Sequence, residues 1–264
     1  MSERAQTQYT IAISKGSALL DEMKFLLNAW QSGEAVDEFC DRVVRDGIID
    51  KATARRAHDV ARRVFANRFL LPEDYPARHM KQLLESGAPS RLISDLAMLF
   101  TARSDLLVRD VIAQVYWPSA REGRLYLSPG DITVFIEEAE ASGKVEEAWS
   151  SEVSKKVARG LAKALVEFGL LEDGAKGRRE IAPYRPSPQL PAYLAYLLHL
   201  QGLSDQAMLE HPDWRLFGYD RERLLAQLAS GEYADQWLLQ IGGSVVRMNW
   251  TYASMEEVLD ALAR

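Results

Sequence analysis

Apolar residues recur at intervals of three and four through the first 120 residues, the period of helices packed on one side. Ser14-Lys15-Gly16-Ser17 leads into a long helix carrying Leu19, Leu20, Met23, Leu26, Leu27 and Trp30, which Gly33 breaks. A second helix over about residues 34–45 turns Val36, Phe39, Cys40 and Val43 inward, and Asp46-Gly47 makes the following turn. A third, over about residues 51–70, has Ala54, Ala57, Val60, Ala61, Val64 and Phe65 on its apolar side. Leu71-Pro72-Glu73-Asp74-Tyr75-Pro76 is a linker-like break. Helical patterns at 77–85, 90–103 and 104–116 follow, punctuated by Pro89 and Pro118. Residues 1–120 therefore predict an all-helical domain with a helix-turn-helix-like unit, and the best boundary is the region 117–123.

The pattern changes after Leu127. Ser128-Pro129-Gly130-Asp131 is a helix start, with Ser128 as cap and Pro129 at the first helical position. Ile132, Phe135, Ile136 and Ala139 form its stripe. An acidic connection through Gly143 and Glu146-Glu147 leads to Trp149-Ser150-Ser151, which starts a second helix. Val153, Val157, Leu161, Ala164, Leu165 and Phe168 share its buried side, and Gly169 ends it. Leu170-Leu171-Glu172 and Arg178-Arg179-Glu180-Ile181 pair around a Gly-containing turn. Helix, helix and basic hairpin in this order predict a winged-helix unit over 121–188.

Beyond it, Pro183, Pro186, Pro188 and Pro191 mark an extended crossing, and residues 190–200 read as a buried helix. Shorter helices at 205–210 and 220–228 lead to a hairpin, Trp237 to Ile241 and Val245 to Trp250, turned by Gly242-Gly243. Ser254 and Glu257 fit a capping box for a terminal helix. The hairpin is apolar, which favours a packing role for this 189–264 part. The fold class expected is mainly α: an N-terminal helical bundle with helix-turn-helix character, a winged-helix unit, and a small α+β C-terminal part.

Charge sharpens this picture. The chain carries a net charge of −6, yet residues 151–185 hold eight basic side chains against five acidic ones, so positive charge is concentrated locally. Lys155, Lys156, Arg159 and Lys163 fall opposite the buried side of their helix, and Lys176, Arg178 and Arg179 surround the hairpin tip. The third helix repeats the theme with Lys51, Arg55, Arg56, Arg62, Arg63 and Arg68 against one acid, Asp59. Phosphates attract such side chains, and Arg can also pair bidentately with guanine. A charged face can equally be the solvated side of a helix. Arginine dominance and the scarcity of i,i+4 acids argue for more than that on the third helix. The candidate DNA contacts are therefore Lys51, Arg55, Arg56, Arg62, Arg63, Lys155, Lys156, Arg159, Lys163, Lys176, Arg178 and Arg179.

Catalytic signatures are sparse. The sequence has neither a Gly-rich phosphate loop nor a dinucleotide fingerprint nor a Gly-x-Ser-x-Gly elbow. His58, His79, His199 and His211 are isolated, and the single cysteine, Cys40, fits a core position. Glu137, Glu138, Glu140, Glu146 and Glu147 read as a solvated helix end rather than an acid-base pair. No catalytic residue, metal or cofactor is expected. The polar N-terminus lacks a signal-peptide core and no apolar run spans a bilayer, which points to the cytoplasm.

The order of several segments resembles the BrxA family of the BREX bacteriophage-exclusion systems. They are Ser14-Lys15-Gly16-Ser17-Ala18-Leu19-Leu20; Leu127-Ser128-Pro129-Gly130-Asp131-Ile132; Trp149-Ser150; Phe168-Gly169-Leu170-Leu171; Pro212-Asp213-Trp214-Arg215-Leu216-Phe217-Gly218; and Val245-Val246-Arg247-Met248-Asn249-Trp250. The resemblance implies a non-enzymatic, largely helical cytoplasmic protein that binds double-stranded DNA. It would act beside a methyltransferase, a phosphatase-like protein and ATPases. The family brings no residue-level catalytic motif. An assembly scaffold that docks acidic proteins and a transcriptional regulator are the alternatives. Oligomeric state and DNA sequence preference are not encoded in any feature above.

Overall fold

A computed structural model of the protein describes residues 8–145, 147–174, 178–243 and 245–263. A 3-10 turn, Ala12–Lys15, precedes α1 (Leu20–Ala29) and α2 (Val36–Arg45). α3 (Ala54–Asp59) runs through a π-helical stretch, Val60–Ala66, into α4 (Asn67–Phe69). α5 (Tyr75–Glu85) and α6 (Ser90–Ser104) follow. α7 (Leu106–Val111) continues through a second π stretch, Ile112–Tyr116, into α8 (Trp117–Arg121). Next come α9 (Pro129–Ala141), α10 (Ser151–Glu167) and the hairpin β1 (Leu171–Asp173) with β2 (Arg179–Ile181). The rest is α11 (Leu190–Leu200), α12 (Asp205–Leu209), a 3-10 segment Pro212–Phe217, α13 (Arg221–Leu228), a 3-10 turn Gly231–Tyr233, β3 (Trp237–Gly242), β4 (Val245–Trp250) and α14 (Met255–Leu262). The chain is mainly helical with two separate antiparallel hairpins. Among the described residues no helix is long and apolar enough to cross a membrane.

Three local departures from the helix pattern have physical causes. The first helix starts just inside its expected apolar stripe: Leu19 lies outside it as the N-cap, because its φ of +53° is not helical, and α1 begins at Leu20. The third helix begins at Ala54, where the Thr53 hydroxyl accepts the Arg56 N–H at 3.1 Å, and it widens over Val60–Ala66. Pro118 does not end its helix. The Trp117 N–H reaches the Ile112 carbonyl five residues back, so the regular ladder restarts and Pro118 occupies the first turn of α8, where a missing donor costs nothing.

The chain divides into two compact units. One comprises the chain up to Lys81 together with Ala97–Tyr184. Its core includes Leu27, Trp30, Phe39, Cys40, Phe65, Phe69, Leu107, Ile136, Val157 and Leu161, all enclosed. Phe65 meets Phe39 and Phe69 with ring centroids 5.6 and 5.4 Å away. Burial pushes the Cys40 thiol up to about 11, so it sits in the core as a small apolar residue.

The other unit comprises Gln82–Leu96 and Arg185–Arg264. Leu83, Leu92, Ile93 and Leu96 are buried, and the Asp95 carboxylate accepts the Ser187 N–H at 2.6 Å. Tyr196 packs on Trp237, Trp250 and Tyr252. Its hydroxyl accepts the N–H groups of Thr251 and Tyr252 at 3.2 Å. His199 stacks on Trp250 at 4.2 Å. Asp205 accepts the Met248 N–H at 2.9 Å and the Trp250 indole N–H at 3.4 Å, which covers the outer edge of β4. In α14 the Ser254 hydroxyl accepts the Glu257 N–H, but the Glu257 carboxylate takes the N–H of Ala253 rather than that of Ser254, so only half of the expected box forms.

Candidate nucleic-acid interface

Two stretches of the first unit carry the candidate cations. In the first, α9 starts with a reciprocal capping box, Ser128 accepting the Asp131 N–H and Asp131 accepting the Ser128 N–H. Burial acts to raise the Asp131 carboxyl, but the Ser128 bonds and the Arg124 guanidinium at 2.6 Å override it, and the net direction is down. The connection to α10 is tied by the Trp149 N–H, which donates to the Glu140 carboxylate at 3.1 Å. Ser150 caps α10. Val157, Ala158, Leu161, Ala162, Ala164 and Leu165 bury its inner face. Gly169, at φ +76°, turns the chain out, and the Leu170 N–H closes on the Leu165 carbonyl at 2.9 Å.

The hairpin follows directly. Leu171 pairs with Ile181 and Asp173 with Arg179. β2 is also bonded on its far side: the Leu127 N–H donates to the Arg179 carbonyl and the Ile181 N–H to the Leu125 carbonyl, both at 3.0 Å. The hairpin is thereby fastened to the segment that feeds α9. Arg178 lies 5.3 Å from the Tyr126 ring centroid, and Arg179 is ion-paired with Asp173. On the outer face of α10, Lys155, Lys156, Arg159 and Lys163 are all exposed.

The second stretch is α3 with its π continuation. Arg55, Arg56 and Arg63 are exposed, and Arg62 is half-buried. Glu22, in the first turn of α1, lies within the field of cations from both regions. Lys51 is ion-paired with Glu22, and the charges of both Lys51 and Lys163 act on it. Burial works to raise that carboxyl, and the two cations with the Lys51 hydrogen bond bring it down. Among the described residues no three of His, Cys, Asp or Glu gather into a cation site.

The profile of the BrxA family matches residues 7–196, more than two thirds of the chain. The chain belongs to the BrxA family. That makes it a component of the BREX phage-defence systems. The matched region contains every candidate cation named above. The fold is also similar to the crystal structure of an uncharacterized protein from Magnetospirillum magneticum, with a TM-score of 0.61 and 17% identity over 80% of this chain and 98% of that one. No curated protein matches the chain.

Within this BrxA-family chain the candidate cations sort by what they touch. Among the described residues, Lys155, Lys156, Arg159, Arg55 and Arg56 have no carboxylate at ion-pair distance. Arg62 is 3.4 Å from Asp37, Arg63 3.2 Å from Asp59 and Lys163 3.6 Å from Glu167. Lys176 lies outside the described residues, as does Glu146 of the acidic connection.

The third helix needs one addition and one correction. Acids are scarce at i,i+4 on its arginine face, as the spacing says, but other helices supply two partners: Glu22 of α1 pairs with Lys51 ahead of α3, and Asp37 of α2 pairs with Arg62. Arg68 is not on that face at all. It is buried, and its guanidinium donates to the carbonyls of Ser17 at 2.6 Å and Gly16 at 2.7 Å. Burial lowers it to about 10. The signal was present in the spacing, since Ala61, Val64, Phe65 and Arg68 lie at i, i+3, i+4 and i+7 and therefore share the apolar side. Glu167, Glu22 and Asp37 are acidic neighbours of the candidate cations whose pairing sequence reading did not find, because acids at helix ends are common and carry no distinguishing spacing.

Proposed function

We propose that this chain is a non-enzymatic DNA-binding component of its BREX system. In this reading α9, α10 and the β1–β2 hairpin form a winged helix-turn-helix. α10 is the helix that faces DNA, and the hairpin is the wing. The observation that carries the reading is the outer face of α10, where Lys155, Lys156 and Arg159 stand exposed with no carboxylate at ion-pair distance among the described residues. Cations left unpaired on one face of a chain with net charge −6 keep their field for a polyanion. Arg55 and Arg56 add a second unpaired pair. Lys and Arg without accompanying Asn or Gln readers favour contact with phosphates over base edges, so sequence preference is weak. The methyltransferase, phosphatase-like protein and ATPases of the system are the expected protein partners.

Fluorescence anisotropy on duplex DNA across a salt series tests this, with the native chain beside a Lys155→Glu/Lys156→Glu/Arg159→Glu variant. The native chain binds with a steep salt slope. The variant binds more weakly, with the slope smaller by about 2–3, since each phosphate contact contributes about 0.9. Absence of binding at low salt overturns the proposal. Binding that the variant leaves intact would move the interface to Arg55 and Arg56.

A further inference from the structure

The connection between the Ala12–Lys15 turn and α1 has unusual backbone. Leu19 has φ +53°, the single positive value for a non-glycine among the described residues. A bulky side chain there is strained and persists only where its surroundings over-determine it. Gly16 admits no side chain without displacement, because a Cβ would lie 2.8 Å from Cγ2 of Val64 in the π stretch.

The surroundings are two charged groups from opposite elements. From the end of the third helix, the enclosed Arg68 guanidinium binds the carbonyls of Gly16 and Ser17. From the end of α10, the Glu167 carboxylate accepts the Ser17 hydroxyl at 2.9 Å through Oε1 and the Leu19 N–H at 3.0 Å through Oε2. α10 also rests on the turn just before: a Cβ on Gly160 would lie 3.2 Å from the Ile13 carbonyl oxygen. The helix run that bears Arg55 and Arg56 and the helix that bears Lys155, Lys156 and Arg159 are thus joined through four residues of backbone, gripped by a cation on one side and an anion on the other.

We infer that residues 16–19 are a strut that fixes the separation of the two basic helices, so that both engage one DNA duplex, with Arg68 and Glu167 as its positioning residues. The functional half of this inference rests on the DNA-binding reading above. The structural half does not. Two weak charged faces held at a fixed spacing bind as one bivalent surface, because the second contact is made at high effective concentration. Letting the spacing vary forfeits that gain.

The inference makes a prediction opposite in sign to charge counting. Glu167→Gln removes a negative charge from the helix that carries the DNA-facing lysines, which by charge alone tightens binding and steepens the salt slope. Loss of the strut instead weakens binding, by about tenfold, and flattens the slope. Ser17→Ala breaks one of the two Glu167 bonds with no change of charge, and gives a milder effect in the same direction.

Spin labels on Ala54→Cys and Glu152→Cys, both exposed, read the spacing without DNA, and the enclosed native Cys40 escapes the label. Pulsed dipolar spectroscopy should give one narrow distance in the otherwise native chain and a broadened distribution in Glu167→Gln and Ser17→Ala. An unchanged distribution in both variants rejects the strut, whatever happens with DNA. Broadening together with tighter DNA binding by Glu167→Gln rejects its role in binding. Broadening in a chain that binds no DNA leaves the strut standing and rejects the proposed function alone.

Discussion

Replacing Asp105 by Asn should alter the pH dependence of stability within one narrow window. Asp105 is 3% exposed. Its Oδ1 caps α7 by accepting the N–H groups of Leu107 and Val108 at 3.1 and 3.4 Å. Burial pushes the carboxyl up from 3.8 to about 6, against the backbone N–H bonds and the charge of Arg68. The folded state therefore holds this proton more tightly than the unfolded state does. The resulting stabilisation is complete below the unfolded value near 4 and is lost as pH rises through about 6. A rise of that size corresponds to ~3 kcal/mol. Glu22, Glu34 and Asp131 are held low and act in the opposite sense, with stability present at higher pH and lost on acidification. A raw stability curve mixes the two. The difference between the native chain and Asp105→Asn isolates the first, since Asn keeps the capping oxygen and does not titrate. That difference should fall by ~3 kcal/mol between about pH 4 and pH 7, whatever constant offset the substitution adds. Cys40, the one thiol and fully buried in the same unit, supplies the readout: its labelling by a dipyridyl disulfide along a urea series reports unfolding of that unit. A difference that stays constant across the window refutes the argument.

Gly160→Ala should destabilise the same unit by about 1 kcal/mol. The overpacking against the Ile13 carbonyl, typically ~1–3 kcal/mol, outweighs the helix propensity that Ala gains, and a more stable variant in the same labelling assay would contradict the close approach. In the other unit, Asp205→Ala strips the Met248 N–H and the Trp250 indole of their acceptor, with an expected loss of ~1–3 kcal/mol. Faster amide exchange in β4 checks it, and native-like protection there counts against the edge-covering role.

What was legible in the chain was whatever a local period or a turn residue encodes. The inward Phe39, Cys40 and Val43 of α2, the capped starts of α9 and α10 and the Gly169 exit follow from spacing and backbone preference alone, and they are where the structure has them; the Gly-Gly expectation is off by one, since Gly242 still belongs to β3 and pairs with Val245. What was not legible depends on partners distant in sequence. The strained backbone at Leu19 exists because Arg68 and Glu167, about 50 and 150 positions further on, hold it, and nothing within a helical turn of Leu19 announces them. The neutralisation of Lys51 and Arg62 by Glu22 and Asp37 is of the same kind. Pro118 read as a stop because a ladder of constant period was assumed, and the π stretch before it changes the period. Arg68 is different. Its position was encoded in the 61, 64, 65, 68 spacing, and its charge alone suggested the solvent side.

The interleaving of the two units has a consequence for synthesis. Leu83, Leu92, Ile93 and Leu96 belong to a unit whose remaining residues start at Arg185. On the ribosome, that apolar segment emerges about ninety residues before the first of its partners. At roughly 5–20 residues per second, the delay is about 5–20 s. During that interval the waiting segment exposes the apolar surface that its unit later buries. A chain released before residues 185–264 are made would carry the same segment without the rest of the unit that buries it.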